Sequence, residues 1–589
     1  MGRKMLSVDP LANVLVIDLS RRRYRVERRE DLFRPYLGGA GAAIRLLAEE
    51  CPPGADPLSP ENPIIFSVGP MNALFPLASK TVAMFKSPHT KNLGESHAGG
   101  RSAVAIRSAG YGAIVIKGAS KTPVYLSIQE GDVHFRDASA LWGMTNCFTV
   151  GRIIREREKG AGLRTIMRIG QAGEQQIPYA AVTTETYRHF GRLGLGAVFG
   201  SKQLKAVVVA GSQDIPTANP AAYSKLYQEI FSLTQTQVMR KYHDLGTAEN
   251  IGPLNAIHGL PARNLLTNFL PDADRISGET LARDYLGRRL ACAHCPVGCI
   301  HIAALRQPYQ DESYFYKTSM ISYDYEPIYA LAILLGGTDP RGFLQLMDKV
   351  EAAGIDAIST GVVLAWATEA FERGLISTKD TDGLRLAWGD FPTYTKALEG
   401  ILKGTNEFYR ALRLGVGEAA RRYGGQEFAL ALAGHEMAGY HTGPAAHIGF
   451  LIGARHSHLD NAGYSLDQKM TPEQLPSPEE IVQSLLAEES WRQVLSSLVV
   501  CFFARGIYTP ELVSRALEIS GYQLGPEDLQ RIGREIWRAK YDFKLREGFS
   551  LDNLPIPQRI FETPTALGNL SEETFHRAVA AIKVELGRR

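Results

Sequence analysis

The stretch Lys205-Ala-Val-Val-Val-Ala-Gly-Ser-Gln213-Asp-Ile-Pro-Thr-Ala-Asn-Pro220-Ala-Ala-Tyr-Ser-Lys-Leu-Tyr-Gln-Glu-Ile-Phe-Ser-Leu-Thr234 changes texture partway along. Ala206 to Ala210 is a short apolar run suited to a buried strand, whereas Pro220 to Thr234 places apolar residues three and four apart behind a proline, the pattern of a helix. The division extends outward on both sides. Before Gln213 the chain is built of short β-rich runs broken by Gly and Pro: Asn13 to Leu19, Pro63 to Val68, Val82 to Lys86, Ala113 to Lys117 and Val124 to Ile128. After it, helical periodicity marks Arg341 to Ala353, Gly361 to Arg373, Pro392 to Leu402, Thr405 to Tyr423, Pro478 to Leu486 and Pro510 to Ser520. The expected fold is α+β: a β-rich N-terminal base, 1–213, followed by two mostly helical domains, 214–425 and 426–589, parted where Gly424-Gly425 interrupts the pattern.

A chain of 589 residues has room for several cores. Its 65 lysines and arginines nearly balance 62 aspartates and glutamates, so no overall field selects nucleic acid or an anionic membrane. Arg21, Arg22, Arg23, Arg25, Arg28 and Arg29 form a basic run, read as the solvated face of a hairpin that follows Val14 to Ile17. No run approaches eighteen apolar residues and the start has no apolar signal region, so no membrane span and a cytoplasmic location are expected.

Three of the six cysteines fall within Cys292-Ala-His-Cys295-Pro-Val-Gly-Cys299, and Cys501 stands far downstream. Thiolate is the ligand of iron–sulfur clusters, and C-x2-C-x3-C with a distant fourth Cys suits one cluster wrapped by a loop and closed from elsewhere. Zinc is the competing reading, kept open by His294 and His301, although structural zinc sites usually present paired cysteines or Cys/His mixtures. Glycines form a second signal. The turn His97-Ala98-Gly99-Gly100-Arg101 and the segment Arg188 to Lys202 pair them with basic side chains, a combination suited to phosphate or a flat anionic ligand, or simply to solvated turns. Gly38 to Ala42 does not read as a dinucleotide fingerprint, because its preceding strand is poor and no acidic residue follows in place.

With these motifs in order, the chain resembles the aldehyde:ferredoxin oxidoreductases, tungsten enzymes holding the metal between two pterins beside a 4Fe-4S cluster. The resemblance rests on Tyr36-Leu-Gly-Gly-Ala-Gly, Gly69-Pro-Met, Lys86-Ser-Pro, Ala98-Gly-Gly, Ala109-Gly-Tyr-Gly-Ala-Ile, and Gly191-Arg-Leu-Gly-Leu-Gly-Ala-Val-Phe-Gly-Ser-Lys-Gln-Leu-Lys-Ala. The cysteine motif, Gly354-Ile-Asp-Ala-Ile-Ser-Thr-Gly, Gly434-His-Glu-Met and Ser497-Leu-Val-Val-Cys501 follow, covering essentially the whole chain.

The resemblance implies a tungsten (or molybdenum) bis-pterin, a 4Fe-4S cluster on Cys292, Cys295, Cys299 and Cys501, and Mg2+ bridging the pterin phosphates. Lys80, His97 with Ala98-Gly99-Gly100, and Arg188 match the phosphate-side positions. The family's two pterin loops read Asp-x-x-Gly-Leu-Asp/Cys. Here the first is Glu351-Ala-Ala-Gly354-Ile355-Asp356, which keeps a carboxylate as acceptor, and the second, Ser496-Ser-Leu-Val499-Val500-Cys501, lacks both acid and glycine. For acid/base work the resemblance points to Glu326 and to a histidine, His458 first and His441 second, in a segment holding five of the fourteen histidines.

The activity implied is oxidation of a small aldehyde to a carboxylic acid, with electrons leaving to ferredoxin or a ferredoxin-like subunit and the enzyme acting as a homodimer or larger complex. Two rivals stand beside it: a related tungsten-dependent reductase of an acid, thioester or aromatic ring in a multisubunit complex, and a cofactor-less scaffold subunit.

Overall fold

The computed structural model describes residues 9–160, 162–309 and 312–587, which fall into two compact units. The first gathers the chain up to Arg240 with Ala291–Gly298 and Glu489–Phe549; the second takes Lys241–Leu290, Cys299–Glu488 and the residues from Ser550 on. Cys292, Cys295 and Cys501 thus share the unit that contains the N-terminal base, and Cys299 opens the next segment of the second.

Two mixed sheets build the first unit. β1 (Asn13–Asp18), β2 (Arg23–Arg28), β3 (Ile64–Ser67), β4 (Thr81–Lys86), β5 (Leu93–Ala98) and β6 (Ala113–Lys117) lie in the order β2-β1-β6-β3-β4-β5, with only β1 and β6 parallel. β7 (Val124–Gln129), β8 (Asp132–Asp137), β9 (Leu163–Arg168), β10 (Val182–Thr183), β11 (His189–Phe190) and β12 (Leu204–Gly211) follow as β11-β10-β9-β12-β7-β8. The β12 run sits between two partners, and Val207, Val208 and Val209 are fully buried, which is why its sequence is continuously apolar. The following helix, Pro220–Thr234, starts where Asn219 Oδ1 accepts from Ala222 N at 3.1 Å. Phe66 of β3 packs its ring 5.4 Å from Phe190 of β11, joining the sheets in one core. The Arg-rich β2 is the exposed outer strand of a hairpin with β1, as its charge pattern predicts.

The second unit is mostly helical, but it also holds β13 (Leu286–Leu290), β14 (Ile300–Tyr309) and β15 (Glu312–Tyr323), a sheet absent from the helical expectation. The strand signal there is diluted, because the inner half is buried and the outer parts, Arg306 to Tyr309 and Tyr314 to Thr318, are largely exposed. Thr405 to Tyr423 is two helices, Glu407–Leu412 and Val416–Tyr423, parted by Gly415 at φ 98°, a left-handed value that breaks helical hydrogen bonding. Pro478 to Leu486 extends instead to Ser497. Among the described residues no helix is long and apolar enough to cross a membrane.

Candidate cofactor and active site

The chemistry-bearing residues of the first unit converge on Gly99. Lys80 immediately precedes β4 and Ala98 ends β5; Thr81 pairs with Ala98, so the register alone brings Lys80 beside the Gly99-Gly100 turn. A Cβ placed on Gly99 would lie 2.7 Å from Cys292 Sγ, 3.3 Å from Lys80 Nζ and 3.8 Å from Arg188 Cδ. Only glycine lets the thiol and the ammonium approach this turn together. Gly100 O accepts from Ala293 N at 2.8 Å, and Leu77 N donates to His294 O at 3.2 Å. Leu77 O in turn accepts from Cys501 N at 2.8 Å, and Lys80 N donates to Val499 O at 3.1 Å. One short segment, Leu77 to Lys80, therefore ties the cysteine loop to the loop of the last cysteine. The Arg188 charge is felt locally: His189 is driven down to about 3, first by burial and then by Arg188.

His97 is held from behind. Glu95 and His97 share a face of β5, two residues apart, and His97 Nε2 lies 2.7 Å from Glu95 Oε1. Glu95 Oε2 pairs with Lys540 Nζ at 2.5 Å, and all three groups are largely buried. The Phe502 ring, next to Cys501, stands 6.3 Å from His97 and 5.0 Å under the Arg492 guanidinium. Sequence reasoning missed Glu95 and Lys540; the alternation Glu95-Ser-His97 was the one available signal.

The two loops aligned as pterin loops share one backbone device. The helix Pro340–Ala353 ends with Gly354 at φ 67°, and Ile355 N reaches back to Val350 O at 3.4 Å. The helix Pro478–Ser497 ends with Val499 at φ 56°, and Val500 N reaches Leu495 O at 2.9 Å. Both are six-to-one helix ends, with Gly354 and Val499 as the left-handed residue in each. Val499 is β-branched in a region such residues avoid, and surrounding contacts hold it there. Gly39 and Gly69 explain part of this: a Cβ on either would lie 2.2 Å from Ser496 O or Ser497 O, so both glycines exist to admit the second loop. Gly354→Val should cost about 1–3 kcal/mol of stability, read from the denaturant midpoint, because it repeats the strain at 499 without these supports.

In the second unit Glu351 is buried and its carboxylate accepts from Ser322 N at 3.4 Å and from Ser322 Oγ. Asp356 caps the helix Ala357–Glu372, accepting from Ile358 N at 3.0 Å, while Ser359 Oγ lies 2.7 Å from Asp356 Oδ2 and 2.9 Å from Glu436 Oε2. Ile355 is buried, as is Val500 in its own unit.

Glu326 Oε1 lies 3.0 Å from His458 Nε2, with the two side chains 22% and 9% exposed. Glu326 sits in the turn Tyr325–Ile328, which runs into the π-helical turn Tyr329–Ile333, a local widening of the helix frequent at functional sites. His458 opens the short helix His458–Asn461, fixed by a Ser457–Asp460 capping box, with Arg455 Nε 2.5 Å from Asp460 Oδ1. The Tyr440 ring stacks 4.1 Å from Tyr464 and lies 5.3 Å from His458. Burial, then the charge of Glu326, holds the Tyr440 phenol far above its ordinary range, so it stays protonated.

His441 is placed differently. Its Nε2 lies 2.8 Å from the Thr563 carbonyl, which can only accept, so Nδ1 must accept from His447 Nε2 at 2.9 Å. Burial holds His441 down at about 4 and His447 well below its ordinary value, so both are neutral structural groups at pH 7. Nearby, Asp467 accepts from Ala445 N, Ala446 N and Thr442 Oγ1 at 2.8–2.9 Å, and burial pushes its carboxyl up to about 7. A carboxyl raised in the folded state contributes stability that is complete below the unfolded value near 3.8 and fades as pH rises through 7. Asp467→Asn should remove up to about 4 kcal/mol of that pH dependence, measured as a flatter stability profile between pH 4 and 8.

Two alternatives lose ground. His301 Nε2 donates to His243 O at 3.0 Å, which turns that nitrogen away from metal binding. Lys202 is buried with Nζ 3.1 Å from both Pro60 O and Gly118 O, so it ties the fold rather than facing a ligand. Among the described residues no three His, Cys, Asp or Glu side chains are gathered as around a single ion. A four-iron cube, held at its corners, does not require that spacing.

The fold and these residues define an oxidoreductase of the aldehyde ferredoxin oxidoreductase family, and the chain belongs to it. The model of that family's N-terminal domain matches residues 14–211 and that of its domains 2 and 3 matches residues 222–583. A tungsten-containing aldehyde ferredoxin oxidoreductase of Thermococcus kodakarensis is 31% identical over 572 residues, covering 94% of this chain and 92% of that one. Its counterpart in Pyrococcus furiosus is 30% identical over 559 residues, covering 92% and 90%. The WOR-like subunit of an aliphatic sulfonate oxidoreductase from Pyrococcus furiosus is 31% identical over 66% of this chain and 64% of its own. Among solved structures, the active site complex BamBC of benzoyl coenzyme A reductase with 1,5-dienoyl-CoA has the same fold, with a TM-score of 0.83 at 21% identity, covering 98% of this chain and 94% of that one.

Proposed function

We propose that this enzyme oxidises small aldehydes to carboxylic acids and passes the electrons to ferredoxin or a ferredoxin-like subunit in the cytoplasm. The observation that carries the reading is the Glu326–His458 pair, 3.0 Å apart and largely withdrawn from solvent. Oxidation of RCHO with water to RCOOH releases two protons and two electrons, and a sheltered carboxylate–imidazole pair is suited to taking the protons away.

The donor set fits the cofactors the family implies. Four cysteines, Cys292, Cys295, Cys299 and Cys501, are the number a 4Fe-4S cluster takes. Lys80 and Arg188 offer cations, beside His97 and the open Gly99-Gly100 backbone, to phosphates with their Mg2+. Glu351 and the loop ends at Gly354, Ile355, Asp356 and Val500 would hold the two pterins. When bound, the tungsten or molybdenum pterin supplies the two-electron chemistry and the cluster carries electrons out singly.

The rest is done by side chains. Glu326 takes a proton from the reacting water while its Oε1 accepts from His458 Nε2–H, so the two act as one acid/base unit; protonated Tyr440 holds the carboxylate in place without competing as a base. The three segments 1–213, 214–425 and 426–589 would act as phosphate-side base, first-loop domain and last-loop domain. His441 serves by buttressing, given its fixed tautomer.

Assays of anaerobically purified protein test this in both directions. Viologen-linked oxidation of aldehydes is expected. Reduction of an acid, thioester or aromatic ring without aldehyde oxidation would move the protein to the reductase branch.

A further inference from the structure

Arg101, Arg155, Lys159 and Arg164 line one cavity of about 430 Å3 in the first unit, accompanied by a single acid, Glu156. Arg101, Arg155 and Lys159 are exposed, and Arg164 is half-buried with no hydrogen-bond partner for Nε among the described residues. Burial and the neighbouring Arg155 charge work against the Arg164 guanidinium, the charges of Glu158 and Glu185 offset them in part, and an anionic partner would add to that offset.

The position of the cavity matters as much as its charge. Arg101 lies two residues beyond Gly99, so their Cα atoms are within about 8 Å. Gly99 is the residue whose Cβ would meet Cys292 Sγ, and Gly100 O is bonded to Ala293 N in the cysteine loop. The cationic rim thus borders the turn that packs on a cluster cysteine. Three of the four cations are solvated side chains, which grip a small anion weakly but sum their fields over a large opposing surface.

We infer that this cationic cavity is the docking surface for the one-electron carrier, a small iron–sulfur protein that inserts a carboxylate-rich patch between Arg101, Arg155, Lys159 and Arg164. The step served is transfer of one electron from the reduced cluster to the oxidised carrier; no bond is made or broken. The inference rests on the proposal that electrons leave through that cluster.

The test is binding of the full-length protein to a purified acidic two-cluster bacterial ferredoxin over a range of salt concentrations. Arg155→Glu/Lys159→Glu, both at exposed positions, should slow association by about tenfold or more at low ionic strength and flatten the salt dependence. Adding Arg164→Glu should deepen the loss, with circular dichroism checking the fold. Turnover with benzyl viologen, which needs no docking surface, should be unchanged. Wild-type-like binding by the double variant at every salt concentration would overturn the inference. So would tight pyrophosphate binding to the wild type that ferredoxin does not displace, which would make the cavity a small-anion pocket. Charge-dependent ferredoxin binding by a preparation that oxidises no aldehyde would defeat the proposed function and leave this surface standing.

Discussion

Glu326→Gln is expected to lower aldehyde turnover by about 10²- to 10⁴-fold, the usual contribution of a positioned acid/base group, with metal content unchanged. The amide keeps size and hydrogen bonding but cannot take a proton, so loss of kcat at preserved cofactor occupancy separates proton transfer from architecture. His458→Gln should fall in the same range. A double variant should be little worse than either single one, because groups acting as a unit are strongly non-additive. His441→Gln sets the contrast: with Nε2 committed to Thr563 O and Nδ1 to His447, its loss should appear as a lower denaturation midpoint and not as a kcat effect of this size. If His441→Gln abolished turnover in a stably folded protein and His458→Gln did not, the assignment of the two histidines would reverse.

The second large effect is expected at Gly99. A methyl group there would meet Cys292 Sγ at 2.7 Å, closer than real Cβ atoms approach anything, and would crowd Lys80 Nζ at 3.3 Å. Lysine can swing aside, but Cys292 is fixed by Ala293 N on Gly100 O and by Cys295 N on Cys292 O at 3.1 Å. Gly99→Ala should therefore displace the thiol and strip most of the iron, measured per chain after anaerobic purification, with activity lost in parallel. Gly417→Ala, in a helix with no atom within 4 Å of the added methyl, should leave iron content unaltered. Full iron in Gly99→Ala would mean that Cys292 does not depend on this approach.

Much of the fold was legible because its elements obey local rules. The continuous apolar run of β12 reports burial on both faces, and Asn219-Pro220 marks the start of the next helix where it forms. The three-stranded sheet of the second unit was hidden because Arg306 to Tyr309 and Tyr314 to Thr318 lie largely exposed and have no face to pattern against a core. Gly415 broke a helix that side-chain periodicity carried straight through, since periodicity does not report φ.

In the candidate site, spacing picked out the cysteines, but the residues behind them were illegible. Lys540 reaches Glu95 across more than four hundred positions, and Tyr440 gains its place only when its segment folds beside Glu326. Val499 read as a departure from the family's loop; its backbone is left-handed all the same, just beyond the Ser496-Ser497 backbone that Gly39 and Gly69 admit.

The proposed function requires that these residues assemble a pterin-metal centre beside a four-iron cluster. Elemental analysis of anaerobically purified protein for tungsten, molybdenum, iron and zinc tests it most directly. Tungsten or molybdenum near one and iron near about four per chain are expected. Zinc alone, or iron without either heavier metal, would contradict it and leave a cofactor-less subunit as the better description.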